Sequence, residues 1–113
     1  MSSFGERTDP FSGEGAYHNG VDISASIGTP VLATADGIVT FADRGGGYGR
    51  LVTVNHGNGF ETFYAHLSWF EVITGQEIRQ GERVGAIGAS GPVTAPHLHY
   101  EAHVRKAHPQ GPG

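Results

Sequence analysis

His97-Leu98-His99-Tyr100-Glu101-Ala102-His103-Val104 decides the fold class. Polar residues hold every second position and mostly apolar residues hold those between. A period of two is the signature of a half-buried β-strand. On such a strand His97 and His99 project from one face. One can ligate a metal while the other faces the same cavity, and the spacing leaves open which does which.

Working outward, the chain offers more short strand signals. Val31 to Ala35 and Ile38 to Ala42 flank Asp36-Gly37, a hairpin-type dipeptide. Leu51 to Asn55 and Phe60 to His66 flank His56-Gly57-Asn58-Gly59, a second reversal. Phe60, Thr62, Tyr64 and His66 are expected to share a face, with His66 at the strand end, where a side chain reaches a cleft. Val72 to Ile78, broken by Gly75, and Arg83 to Ile87 add shorter pieces. No convincing helix is present. Gly45-Gly46-Gly47-Tyr48-Gly49 reads as a loop; it has no Lys and no Ser or Thr after it, which argues against a phosphate cradle. The expectation is an all-β domain of antiparallel sheets with a loop-walled groove. Residues 1–113 form one domain, with flexible ends near 1–3 and 106–113.

Composition narrows the function classes. The formal charge is −4, and the seven Lys and Arg residues are scattered. That excludes a general phosphate-backbone binder, so no nucleic-acid partner is expected, and binding should depend on a shaped groove. No run of about 18 apolar residues exists to form a transmembrane helix. Met1-Ser2-Ser3-Phe4-Gly5 lacks the basic and apolar regions of a signal peptide. The absence of cysteine removes disulfides and thiolate metal sites.

Three stretches carry the chemistry: His18-Asn19-Gly20-Val21-Asp22, Tyr64-Ala65-His66-Leu67 and Pro96-His97-Leu98-His99. Two histidines and a carboxylate can hold a catalytic zinc with one position open. Two further histidines can move protons. His18 and Asp22, four apart, fall on one side of either an extended segment or a helical turn, and Gly20 permits a bend. No H-E-x-x-H helix occurs, so the common helical zinc-protease design is absent.

These stretches also carry a family resemblance. With Phe4-Gly5-Glu6-Arg7, Gly28-Thr29-Pro30-Val31, Ala35-Asp36-Gly37-Ile38-Val39, Gly46-Gly47-Tyr48-Gly49, His56-Gly57-Asn58-Gly59 and Gly81-Glu82-Arg83-Val84-Gly85, the chain resembles lysostaphin/LytM-type zinc metallopeptidases along nearly its whole length. These are peptidoglycan endopeptidases with an H-x-x-x-D and a late H-x-H motif. The resemblance implies one zinc ligated by His18, Asp22 and His99, with His66 and His97 as the catalytic pair. It implies an antiparallel β fold, a peptidoglycan peptide substrate and action outside the cytoplasm, in the periplasm, cell wall or secreted. An export signal and N-terminal region are then expected outside this chain. The oligomeric state and the bond cut are not legible. Glu101, on the His99 face, is a candidate acceptor for the second N–H of that ring. His56, His103 and His108 match no functional position and read as surface or turn residues.

Two other readings compete. A non-catalytic wall-binding relative would be expected to lack one or more of the five residues. Ala33-Thr34-Ala35-Asp36-Gly37-Ile38-Val39 and Gln80-Gly81-Glu82-Arg83-Val84-Gly85-Ala86-Ile87 resemble hairpin segments of carrier domains. The sole lysine, Lys106, near the C-terminus, excludes a lipoyl or biotinyl carrier. A phosphohistidine carrier needs two facing histidines but neither Asp22 nor the further ones.

Overall fold

The computed structural model describes residues 7–8, 17–89 and 95–104. The expected flexible ends, and His108, lie outside them. Among the described residues, nine strands form one sheet: β1 (Arg7–Thr8), β2 (Tyr17–Ser24), β3 (Pro30–Leu32), β4 (Gly37–Arg44), β5 (Arg50–Gly57), β6 (Phe60–Phe70), β7 (Glu77–Ile78), β8 (Arg83–Ile87) and β9 (His97–Val104). Every pairing among them is antiparallel. The main path runs β1-β2-β9-β6-β5-β4-β7, and β8 branches from β6 to carry β3. No α-helix occurs among the described residues; Gly46–Tyr48 forms a single 3-10 turn.

Alternation placed β9 correctly because one strand face is apolar and the other polar. The β5–β6 reversal is also as expected. Gly57, Asn58 and Gly59 all take positive φ (91°, 54° and 78°), which glycine and asparagine tolerate best.

Of the expected piece Val72 to Ile78, only Glu77–Ile78 is a strand, because the chain turns at Gly75 (φ 95°). Two further expectations fail. Asp36-Gly37 does not close a hairpin, because β3 pairs with β8 while β4 pairs with β5 and β7. A turn dipeptide favours reversal but does not choose the partner. Here the β3–β8 pairing adds Val31 and Val84 to the core that β4 enters through Val39. Second, β6 does not end at His66 but runs on to Phe70. Up to Ala65 it pairs with β9, and from Leu67 it pairs with β8.

The core gathers Val31, Val39, Val52, Val54, Tyr64, Leu67, Val84, Ile87 and Leu98. β-Branched residues dominate it, as a pleated and buried surface favours. Tyr64, 1% exposed, brings its hydroxyl inside. That oxygen lies 2.8 Å from Thr62 Oγ1, 3.1 Å from Thr34 Oγ1, and accepts the Thr34 N–H at 3.2 Å. A buried hydroxyl without such partners would cost stability. His56 is also tied into this network, at 2.7 Å from both the Asp36 carbonyl and Thr62 Oγ1.

Candidate metal centre

The register of β2 against β9 sets Asp22 opposite His99, Gly20 opposite Glu101 and His18 opposite His103. Directly opposed residues share a sheet face. On the other side of β9, Ala65 opposes His99 and Phe63 opposes Glu101. His97, His99, Glu101 and His103 thus form one row, with one small neighbour on each side of its centre, Gly20 and Ala65. Gly20 borders the row: a Cβ there would make ordinary van der Waals contact, 3.5 Å from both Glu101 Cγ and His99 Cε1. It sits inside an unbroken strand and makes no bend, so His18 and Asp22 are related by two pleats of extended chain, not by a helical turn.

Within the row, the Asp22 carboxylate faces two rings. Its Oδ1 lies 2.6 Å from His99 Nδ1 and 3.6 Å from His97 Nε2. His97 donates Nδ1–H to the Ala95 carbonyl at 3.0 Å, which leaves Nε2 as the nitrogen that can exchange a proton. His99 reaches Glu101 Oε2 with Nε2 at 2.8 Å. The His97 backbone is pinned by its N–H to the Gly88 carbonyl at 3.1 Å.

His66 reaches the row by a backbone irregularity. On a regular strand it would follow Thr62 and Tyr64 to the face opposite His99, since Tyr64 opposes Tyr100. Between Arg50 and Val52 of β5 the register slips, so that one extra residue is accommodated on β6. His66 takes φ 63°, a left-handed value unusual for a non-glycine residue. Its ring then lies 5.0 Å from that of His97 and 6.1 Å from that of His99. The expectation that it shares a face with Tyr64 is overturned; its proximity to His97 and His99 is found. His66 is 8% exposed.

The electrostatics centre on His99 and Glu101. Burial draws the His99 ring down, but hydrogen bonds to Asp22 and then Glu101 outweigh it and hold the ring above the ordinary imidazole range. Burial alone would raise the Glu101 carboxyl. Hydrogen bonds from His103, His99 and Tyr48 reverse this and bring it down to about 2. Tyr48 is pushed up to about 12, by burial first and then by the Glu101 charge.

Among the described residues, no three His, Asp or Glu side chains are arranged to hold a metal. The structure brings Asp22 and His99 together; the side chain of the third expected ligand, His18, lies outside the described ones. The donor set nevertheless fits a cation. Both His99 nitrogens face carboxylate oxygens, and in a metal-free ring only a proton on each can satisfy both. The proton between Nδ1 and Asp22 occupies a place a metal ion can take, with Glu101 holding the other N–H. Tyr48 and His103 were not anticipated as part of this centre. The even spacing of His103 from His99 was a usable signal; Tyr48 comes from a distant turn and gave none.

Comparison with known proteins adds lineage. The model of peptidase family M23 matches residues 16–112. The DD-carboxypeptidase/endopeptidase Mpg of Neisseria meningitidis is 50% identical over 103 residues, 91% of this chain and 24% of that protein. The peptidoglycan DD-endopeptidase ShyA of Vibrio cholerae is 43% identical over 99 residues, 88% of this chain and 23% of that protein. A solved zinc-containing peptidase from Vibrio cholerae superposes with a TM-score of 0.74 at 36% identity, over 88% of this chain and 31% of that one. The chain therefore spans about a quarter of the length of these relatives.

Proposed function

We propose that this chain, which belongs to peptidase family M23, the lysostaphin/LytM type, is the catalytic domain of a zinc endopeptidase that cuts peptide bonds in peptidoglycan. The observation that carries the reading is the Asp22–His99 pair, 2.6 Å apart, with the His97 ring against the same carboxylate oxygen. The relatives' names, DD-carboxypeptidase/endopeptidase and peptidoglycan DD-endopeptidase, support the substrate class. Action outside the cytoplasm follows from that substrate.

His18, Asp22 and His99 would hold the zinc. When bound, it supplies Lewis acidity that polarises a carbonyl and makes water acidic enough to attack near neutral pH. His97 is built to move a proton. The Ala95 carbonyl fixes its tautomer and turns Nε2 towards Asp22. His66, 5.0 Å away ring to ring, is the second proton handler, able to stabilise developing charge on oxygen or to protonate the leaving amine. Its burial shields it from bulk water.

The test is digestion of purified peptidoglycan by zinc-loaded protein, with a chelated control and mass analysis of released fragments. New peptide ends that vanish with chelation support the assignment and identify the bond. No release from several wall types by zinc-loaded protein would point to a wall-binding relative instead.

A further inference from the structure

The Gly45–Gly49 segment has no part in the mechanism above, yet it sends one side chain into the centre. The Tyr48 hydroxyl lies 3.0 and 3.2 Å from the two oxygens of Glu101 and donates to that carboxylate. On the same carboxylate, Oε2 takes the His99 Nε2–H at 2.8 Å and Oε1 takes the His103 Nε2–H at 2.7 Å. We propose that Glu101 is a positioning residue that sets the tautomer of His99, and that Tyr48 and His103 form a clamp that holds Glu101 in place. This rests on the reading of His99 as a zinc ligand.

The need for such a residue follows from Asp22. A neutral imidazole has one N–H and one lone pair. Asp22 Oδ1 sits 2.6 Å from Nδ1 and by itself would draw the proton there. The lone pair would then be on Nε2, pointing away from Asp22, and the two ligand atoms could not share a metal. A fixed acceptor at Nε2 opposes this and leaves the Nδ1 lone pair on the Asp22 side. Glu101 is placed for that task and is itself immobilised. Three donors converge on it, and its side chain is 15% exposed.

The clamp is packed as well as hydrogen-bonded. Phe63 opposes Glu101 across β6 and β9. The Phe63 ring stacks on His103, 4.0 Å between centroids and 3° from parallel, and lies 5.7 Å from the Tyr48 ring. One aromatic residue thus backs both clamp members. Gly20, on the other side, borders both Glu101 and His99.

The experiment compares wild type, Glu101→Ala, Glu101→Gln and Tyr48→Phe by two readouts. Zinc affinity is measured by competition with a chelator. The His99 tautomer is read from nitrogen-15 NMR of the metal-free protein, at a pH where the ring is neutral. Glu101→Ala is expected to weaken zinc about 10–100-fold and to move the proton from Nε2 to Nδ1. Glu101→Gln, which keeps one acceptor oxygen, should recover part of both, and Tyr48→Phe should shift both in the same direction by less. A purely structural residue would alter melting but not the tautomer. If Glu101→Ala does not fold, Glu101→Gln and Tyr48→Phe carry the test, and wild-type affinity and tautomer in both overturns the proposal. So does a wild-type ring already protonated at Nδ1, or a folded Glu101→Ala with wild-type affinity. Wild type that binds no zinc would overturn the ligand role of His99 itself, a result distinct from variants that match a zinc-binding wild type.

Discussion

Asp22 and His99 meet across the β2–β9 pair as direct register partners, with Oδ1 2.6 Å from Nδ1. Two residues 77 apart in sequence are thereby set on one face of adjacent strands. His99→Ala is expected to lose zinc and turnover together. Metal analysis of the purified variant checks this, and one zinc per chain retained would exclude the ligand role.

His97 and His66 are expected to behave differently. His97→Ala and His66→Asn should keep zinc while turnover falls by about 10²–10⁴-fold, the range of general acid–base catalysis. Asparagine is chosen at 66 because it tolerates the left-handed backbone found there. Release of metal by either folded variant would show that the division between ligands and proton handlers is drawn in the wrong place.

Zinc affinity should depend on pH through His99. The metal-free ring is held above the ordinary value of 6.5, so the proton that zinc must displace is bound more tightly than on a free imidazole. Affinity is therefore full above the raised value and falls as pH drops through it, beginning at a higher pH than for an unperturbed histidine. Chelator-competition titrations across pH 5 to 9 measure this; a flat profile would contradict it.

Tyr64→Phe should destabilise the fold by about 1–3 kcal/mol, because it strips a partner from the buried Thr62 hydroxyl and from the Thr34 N–H. Denaturant unfolding reads this directly. A loss below about 0.5 kcal/mol, the scale of surface substitutions, would mean that the hydroxyl network is idle.

Gly88 tests the coupling of packing to the centre. A Cβ at this position would fall 2.5 Å from the Ser68 backbone nitrogen, so β6 and the Gly88 segment could not stay as close. Gly88→Ala should cost about 1–3 kcal/mol. It should also lower kcat, because the Gly88 carbonyl anchors the His97 backbone. Unchanged stability and kcat together would show that the segment yields without moving His97.

Local signals made much of the sheet legible. β8 and β9 could be placed at their ends, Arg83–Ile87 and His97–Val104, because alternation and turn residues are encoded in neighbouring residues. Strand partners could not. Asp36-Gly37 looked like a hairpin, yet β3 and β4 belong to different pairings. That choice depends on which buried faces fit together, a property of residues far apart in sequence.

The sequence by itself determined the all-β class, the strand face that carries His97, His99, Glu101 and His103, and the family, because period and motif spacing are local and survive in one dimension. The tertiary structure decided three things. It set Asp22 opposite His99 through the β2–β9 register. It carried His66 to the His97 side through a register slip and a left-handed backbone that no alternation rule anticipates. It also brought Tyr48, from a turn 53 residues away, onto Glu101. Each depends on how strands pair across the sheet, and pairing energies come from contacts between distant residues.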